Sequence, residues 1–249
     1  MTDHGIAFSP AMVSAIFAGR KYKTRRLLKA QPPEGATVFR TGRGKFVWDW
    51  PGLGVGSDDA VLFLAPPYAT VDRLWVRETH FKFGYWEPDP VKTHHATAKR
   101  PPLRFVAMSE ATFDPPRYPI TARQGPPPSA DDWARPTIYK RPARFMFRAD
   151  ARLNLIVEDV DFERLDEVTS IEAEAEGIAA YSKDGRFRKF GIPDRDGLPG
   201  TDNEGWPWAD WKQTPRDAFV RLWNSIHGDG AFALNPWVTV TTFRIETQN

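Results

Sequence analysis

The stretch "FSPAMVSAIFAGRKYKTRR", residues 8–26, passes from an apolar helix directly into a concentrated run of positive charge. Ser9 can cap a helix with Pro10 at its first position, and Met12, Val13, Ile16 and Phe17 recur at helical spacing on one stripe. Gly19 then offers a stop. The next residues, Arg20, Lys21, Lys23, Arg25 and Arg26, are five cations within seven positions, with a lone threonine, Thr24, among them. A chain with a net charge of only +2 has therefore gathered charge at one point and balances it with acids further on.

Working outward, "IAFS" before the helix reads as a short strand, and "DRLWVRETHFKF" as a strand in which Leu74 and Val76 alternate with Arg73, Trp75 and Arg77. "ARFMFRADARLNLIVEDVDFERL" predicts two strands, with Leu153, Leu155 and Val157 on one side. "SIEAEAEGI" predicts a short helix with Ser170 as cap, Glu172 in its first turn and Gly177 as its stop. A longer helix starts at Thr214 and Pro215, carries Phe219, Leu222, Trp223 and Ile226 on one face, and ends at His227-Gly228. The final "NPWVTVTTFRIE" alternates and is rich in branched and aromatic residues, the pattern of a strand in the main sheet.

Between these anchors, residues of about 30–60, 84–142 and 179–213 are dense in proline, glycine and charge and read as insertions, with "LRFVAMSEATF" able to supply a strand inside the second. The order of elements is not the alternation of a doubly wound sheet. It predicts an α+β fold: one domain over residues 1–249, a mixed β-barrel with peripheral helices and long Pro/Gly-rich insertions.

With 249 residues, 41% of them apolar, and ten tryptophans, the chain has material for a sizeable core. The absence of cysteine excludes disulfides and thiolate chemistry and fits a reducing compartment. "MTDHGIAFSP" lacks the layout of a signal peptide, and no run of about 18 apolar residues occurs, so a cytoplasmic protein without a membrane partner is expected. His94 and His95 are adjacent, point apart, and have no nearby carboxylate at ligand spacing; no metal and no cofactor are assigned.

"FSPAMVSAIFAGRKYKTRR", "DRLWVRET", "VEDVDFERLDEVTSIEAEAEGI", "FVRLWNSIHG" and "NPWVTVTTF", taken in that order, resemble the ASCH domain, a branch of the PUA-like superfamily, in the long form seen in phages and prophages. The resemblance implies a compact barrel whose cleft is lined by the basic segment, and a partner that is a modified nucleoside or a single-stranded nucleic acid. It also implies hydrolysis of the acetyl amide of N4-acetylcytidine by a lysine, a threonine three residues later and a glutamate from a short helix. Those roles fall on Lys21, Thr24 and Glu176.

Amide hydrolysis requires an activated nucleophile, a proton acceptor and a donor to the leaving nitrogen. Thr24 would attack, Lys21 would act as base if burial and nearby cations depressed its pKa, and Glu176 would orient the amine or pass the proton on. Residues three apart lie on opposite faces of a strand but on one face of a helical turn, so Lys21 and Thr24 share a site only if "RKYKT" turns. Arg20, Arg25, Arg26 and Arg77 suit phosphate or base contacts.

Each feature also has an ordinary explanation: a solvated charged turn for the run, an exposed helix-end acid for Glu176, a salt bridge near Arg77 for Glu78. Trp75, Trp223 and Trp237 read as core, while Trp48, Trp50, Trp206, Trp208 and Trp211 either stack on bases or pin the long loops. Two other functions fit the same residues: a non-catalytic RNA or single-stranded DNA binding module, and a phage assembly or regulatory factor that binds protein through its insertions. Oligomeric state is not read from the sequence.

Overall fold

In the computed structural model, which describes residues 1–32, 34–40, 46–49, 62–92, 100–114, 122–201 and 205–247, strands dominate. In chain order they are β1 (Asp3–Ala7), β2 (Lys23–Leu27), β3 (Thr37–Arg40), β4 (Phe46–Asp49), β5 (Leu62–Leu64), β6 (Arg73–Arg77) and β7 (His80–Pro88). There follow β8 (Leu103–Ala107), β9 (Thr137–Arg141), β10 (Asn154–Arg164), β11 (Ala179–Tyr181), β12 (Lys189–Gly191) and β13 (Trp237–Ile245). Among the described residues three α-helices intervene: α1 (Pro10–Phe17) after β1, α2 (Ser170–Ala175) after β10, and α3 (Pro215–His227) before β13. No helix among the described residues is long and apolar enough to cross a membrane.

The main sheet runs β1-β6-β10-β13-β2, and the remaining strands form three small sheets: β3-β4-β5, β8-β7-β9 and β11-β12. The protein is thus a strand-rich α+β fold, as expected, but the described strands close no barrel. The physical reason lies at β2. It is the last strand in the sheet order: no further described strand pairs with its outer edge, and just before it Lys21 bridges to Glu176 at the end of α2.

The chain divides into two compact units, Met1–His4 with Pro10–Leu74 and Leu153–Asn249, and Gly5–Ser9 with Trp75–Arg152. In the first, β13 lies between β10 and β2. It pairs antiparallel with β10 from Arg164↔Trp237 to Leu155↔Ile245, across an irregularity between Val157 and Asp159, and with β2 from Leu27↔Val238 to Lys23↔Thr242. Val238, Val240 and Phe243 are buried, and so are Thr239 and Thr241 between them. The alternation is real, yet both faces are covered.

Helix α1 buries Ala11, Met12, Val13, Ala15 and Ile16, leaving Phe17 outside the stripe assigned to it; Ile226, placed on the apolar face of α3, is likewise exposed. The cap of α2 is Thr169 rather than Ser170. Its hydroxyl accepts from the Glu172 amide, and Glu172 accepts from the Thr169 amide, the reciprocal box that a T-x-x-E spacing specifies. α3 starts as expected, with Thr214 accepting from the Asp217 amide and Pro215 in the first turn. Of the two strands expected between residues 143 and 165, only β10 forms; residues 143–145 and 148–150 are single 3₁₀ turns.

In the second unit, β7 pairs with β8 and β9, so three short runs of the stretch 84–142 are sheet, including the strand expected in "LRFVA". Tyr139 is fully buried, edge-on to Phe105 and Trp86. Gly84 is required there, because a Cβ would lie 2.2 Å from the Val106 carbonyl oxygen.

Candidate functional site

Gly19, at φ +70°, ends α1, and the amides of Gly19, Arg20 and Lys21 return to Ile16 and Ala15 carbonyls at 2.9–3.1 Å. The chain then changes partners at Tyr22, whose amide donates to Ala175 O (3.0 Å) and whose carbonyl accepts from the Phe243 amide (2.9 Å). The basic run is therefore held between the last turn of α2 and strand β13. It turns before Lys21 and is extended from Lys23 onward.

Alternation along β2 sends Thr24 and Arg26 to one face and Lys23 and Arg25 to the other. Lys21 and Thr24 are consequently not joined by a helical turn. The lysine side chain folds back instead: Nζ donates to Lys23 O at 2.8 Å, the carbonyl of the peptide that leads into Thr24. The same ammonium donates to Glu176 Oε2 (2.8 Å) and Glu176 O (2.9 Å), and both side chains are buried, at 3% and 5% exposure. An ammonium carries three N–H bonds, and three acceptors surround this one.

Arg25 extends the network. Its side chain has no exposed surface; Nη2 lies 2.8 Å from Glu163 Oε2 and 3.1 Å from Glu172 Oε2, and Nη1 lies 3.6 Å from Glu176 Oε1. Lys23 Nζ meets Glu172 Oε1 at 3.1 Å. Lys21, Lys23 and Arg25 thus face Glu163, Glu172 and Glu176, a charge-balanced set at the edge of the sheet. Arg25 is turned inward onto carboxylates and does not offer itself to phosphate.

The balance is incomplete in one place. Glu176 Oε1 and Arg25 Nη1 and Nε are buried without a hydrogen bond, so an acceptor and a donor stand 3.6 Å apart, neither satisfied. Thr24 is buried, and its hydroxyl makes no hydrogen bond with any described residue. Arg26 is exposed on the face shared with Thr24, and its charge acts on both Glu176 and Lys21.

Burial pushes the Lys21 ammonium below the usual lysine range; Glu176 opposes this by charge and hydrogen bond, while Arg26 and Arg25 add to it. Burial raises Glu163 despite Arg25. Burial would raise Glu172 too, but the Thr169 amide, Lys23 and Arg25 together hold it at about 2.

Arg20 is half-buried at the turn, its Nε without a hydrogen bond and its pKa lowered by burial. Arg77 belongs to the second unit, where it donates to Gly5 O (3.1 Å) and lies over the Trp75 ring. Glu78, in the same unit, is a buried salt bridge, but to Arg152, which meets both oxygens at 2.9 Å. Trp211 is buried against Gly191 and pins its loop; Trp223 and Trp237 are core. His94, His95 and Trp50 lie outside the described residues. Among those residues, no group of three or more His, Asp or Glu side chains is arranged to hold a metal.

Glu163 and most of the work of Glu172 escaped the sequence reading. The T-x-x-E box marks Glu172, but nothing local marks Glu163, which reaches Arg25 across β13 only through the register of three strands. A cavity of about 660 Å³ lies elsewhere, along α3, lined by Trp211, Lys212, Asp217, Arg221 and Asn224, with none of the network's residues in its wall. Comparison with protein-family models, with curated proteins and with solved structures finds no match to this chain.

Proposed function

We propose that the chain is a PUA-like protein of the ASCH type that takes a modified cytosine, as a nucleoside or within a single-stranded nucleic acid, at the Lys21–Thr24–Glu176 cluster and hydrolyses an acyl amide on its N4. The observation that carries this reading is the buried Lys21–Glu176 pair at 2.8 Å, whose ammonium also donates to the Lys23 carbonyl of the peptide leading into Thr24, a buried threonine whose hydroxyl makes no hydrogen bond with any described residue. The donor and acceptor left unsatisfied on Arg25 and Glu176 are groups that a ligand amide or base edge can complete.

In this mechanism the Lys21 proton passes to Glu176 over the 2.8 Å hydrogen bond, leaving a neutral amine and a neutral acid. The amine takes the Thr24 proton as the hydroxyl oxygen bonds to the acyl carbon. The C–N bond then breaks, Glu176 protonates the departing N4, and water hydrolyses the threonine ester to release the carboxylic acid. The depressed pKa of Lys21 favours the first step. The test is acetate release from N4-acetylcytidine by the wild-type chain and by Thr24→Val and Lys21→Met, each checked for a cooperative unfolding transition. Loss of release in both folded variants supports the mechanism; release at the wild-type rate from either refutes it.

One observation favours a second reading. Three cations matched to three carboxylates, with every Lys21 proton accepted, form a network that needs no turnover to be stable. A binding module for RNA or single-stranded DNA would keep its affinity in Thr24→Val while the wild type releases no acetate.

A further inference from the structure

The run "YSKDGRFRKF", residues 181–190, holds four cations against one acid and sits in a segment expected only to be an insertion. The structure makes it a hairpin, β11 against β12, paired Ala179↔Gly191, Ala180↔Phe190 and Tyr181↔Lys189. Its base is fixed. Phe190 and Lys212 exchange both backbone hydrogen bonds at 2.8 Å, and a Cβ on Gly191 would lie 2.6 Å from the Trp211 ring, so strand and indole are in direct contact. Tyr181 stands edge-on to Trp208 and Trp211, and the Lys183 and Lys189 ammonium groups lie 5.0 and 4.9 Å from the Trp208 ring centre.

The tip is equally organised. Gly185, at φ +74°, makes the turn, and Asp184 Oδ1 accepts from the amides of Arg186 (2.9 Å) and Phe187 (3.2 Å) and from the Ser182 hydroxyl (3.3 Å). The only acid of the run is therefore occupied with holding the loop. Arg186 and Arg188 are exposed and form no ion pair with any described residue, and Phe187 between them is 73% exposed. Lys21, Lys23 and Arg25 are spent on glutamates, whereas here the arginines are presented to solvent on a braced support.

We propose that the β11–β12 hairpin is a binding arm for single-stranded nucleic acid, with Arg186 and Arg188 meeting phosphates and Phe187 stacking on a base. An anionic membrane or an acidic peptide would be served by the cations alone. A solvent-facing aromatic ring, on a loop whose backbone Asp184 holds and between guanidinium groups with no ion pair to any described residue, matches a polymer that alternates phosphates with flat bases. Lys212 links the arm to the cavity along α3, since its backbone pairs with Phe190 and its residue lines that cavity. The proposal goes beyond the acylcytosine reading and does not depend on the chemistry at Lys21.

Fluorescence anisotropy with a labelled single-stranded 12-mer, in DNA and RNA forms and across 50–200 mM salt, tests it. Wild-type protein should bind with a steep salt dependence. Arg186→Ala with Arg188→Ala should weaken binding and reduce the slope of log K against log salt by about 1.4, or about 0.7 for each lost phosphate contact. Phe187→Ala should weaken binding about 10-fold with the slope unchanged, and Phe187→Trp should restore it. All these variants should unfold at the wild-type temperature. Failure of the wild type to bind, wild-type affinity in the hairpin variants, or binding to phosphatidylserine vesicles without binding to oligonucleotide overturns the proposal. Acetate release from free N4-acetylcytidine is scored separately, so either reading can fall while the other stands.

Discussion

Replacing Glu176 with glutamine removes one charge from a site where two cations depend on it. At an effective dielectric of about 20, Lys21 at 2.8 Å and Arg25 at 3.6 Å are attracted to the carboxylate by about 6 and about 4.6 kcal/mol. Desolvation of these buried ions offsets several kcal/mol each, so the intact pair is nearly neutral for stability. Removing one partner is different, because the desolvation remains and the attraction does not. Glu176→Gln keeps the shape and one acceptor, which places the expected loss near the lower end of the range for broken buried pairs, about 3 kcal/mol, and Lys21→Met should cost a similar amount.

The double variant should lose about 4 kcal/mol rather than the additive 6, a coupling of about 2 kcal/mol that only direct interaction produces. Urea unfolding of the four proteins measures this, and a 3 kcal/mol loss corresponds to a fall of about 6–12 °C in Tm for a chain of this size. A loss below about 1 kcal/mol in Glu176→Gln, or additive losses in the double variant, would refute the reasoning.

Three further outcomes follow from the same geometry. Glu172 is depressed from 4.5 to about 2, so its contribution is complete above pH 4.5 and is lost as pH falls toward 2; undiscounted it amounts to about 3.4 kcal/mol, and solvent screening halves it. About 1 kcal/mol should be gone by pH 3 and should vanish from the pH profile of Glu172→Gln; Glu163, raised by burial, acts in the opposite sense, stabilising at low pH and ceasing to do so as pH rises through its folded value. Gly177→Ala should cost about 2 kcal/mol in urea unfolding, because φ is +104° and the new Cβ would stand 3.2 Å from Ala15 Cβ, whereas Gly185→Ala, at φ +74° with open space, should cost about 1. Arg152→Ala should destabilise by about 2–3 kcal/mol by stranding the buried Glu78 carboxylate, and an unchanged urea midpoint would show that the pair is dispensable.

Local signals were legible wherever one residue decides one conformation. Thr214-Pro215 opened α3, Gly19 ended α1, and the alternation of "NPWVTVTTF" announced β13. Reading fell short where two elements compete for the same description. Ser170 and Thr169 are both competent caps, and the reciprocal bond with Glu172 selects Thr169. Phe17 and Ile226 have the right spacing for a buried stripe, but burial also requires a neighbour, which spacing does not supply.

For the site, composition and order along the chain determined that cations cluster after α1 and that an acid ends the helix "SIEAEAEGI". Tertiary structure alone decided what those charges do. β2 lies at the edge of the sheet, α2 closes against that edge, and the strand register carries Glu163 across β13 to Arg25. A run of positive residues specifies only charge density; whether it is spent on carboxylates, as at residues 21–25, or left facing solvent, as at Arg186 and Arg188, depends on which distant acids the fold brings within about 3 Å.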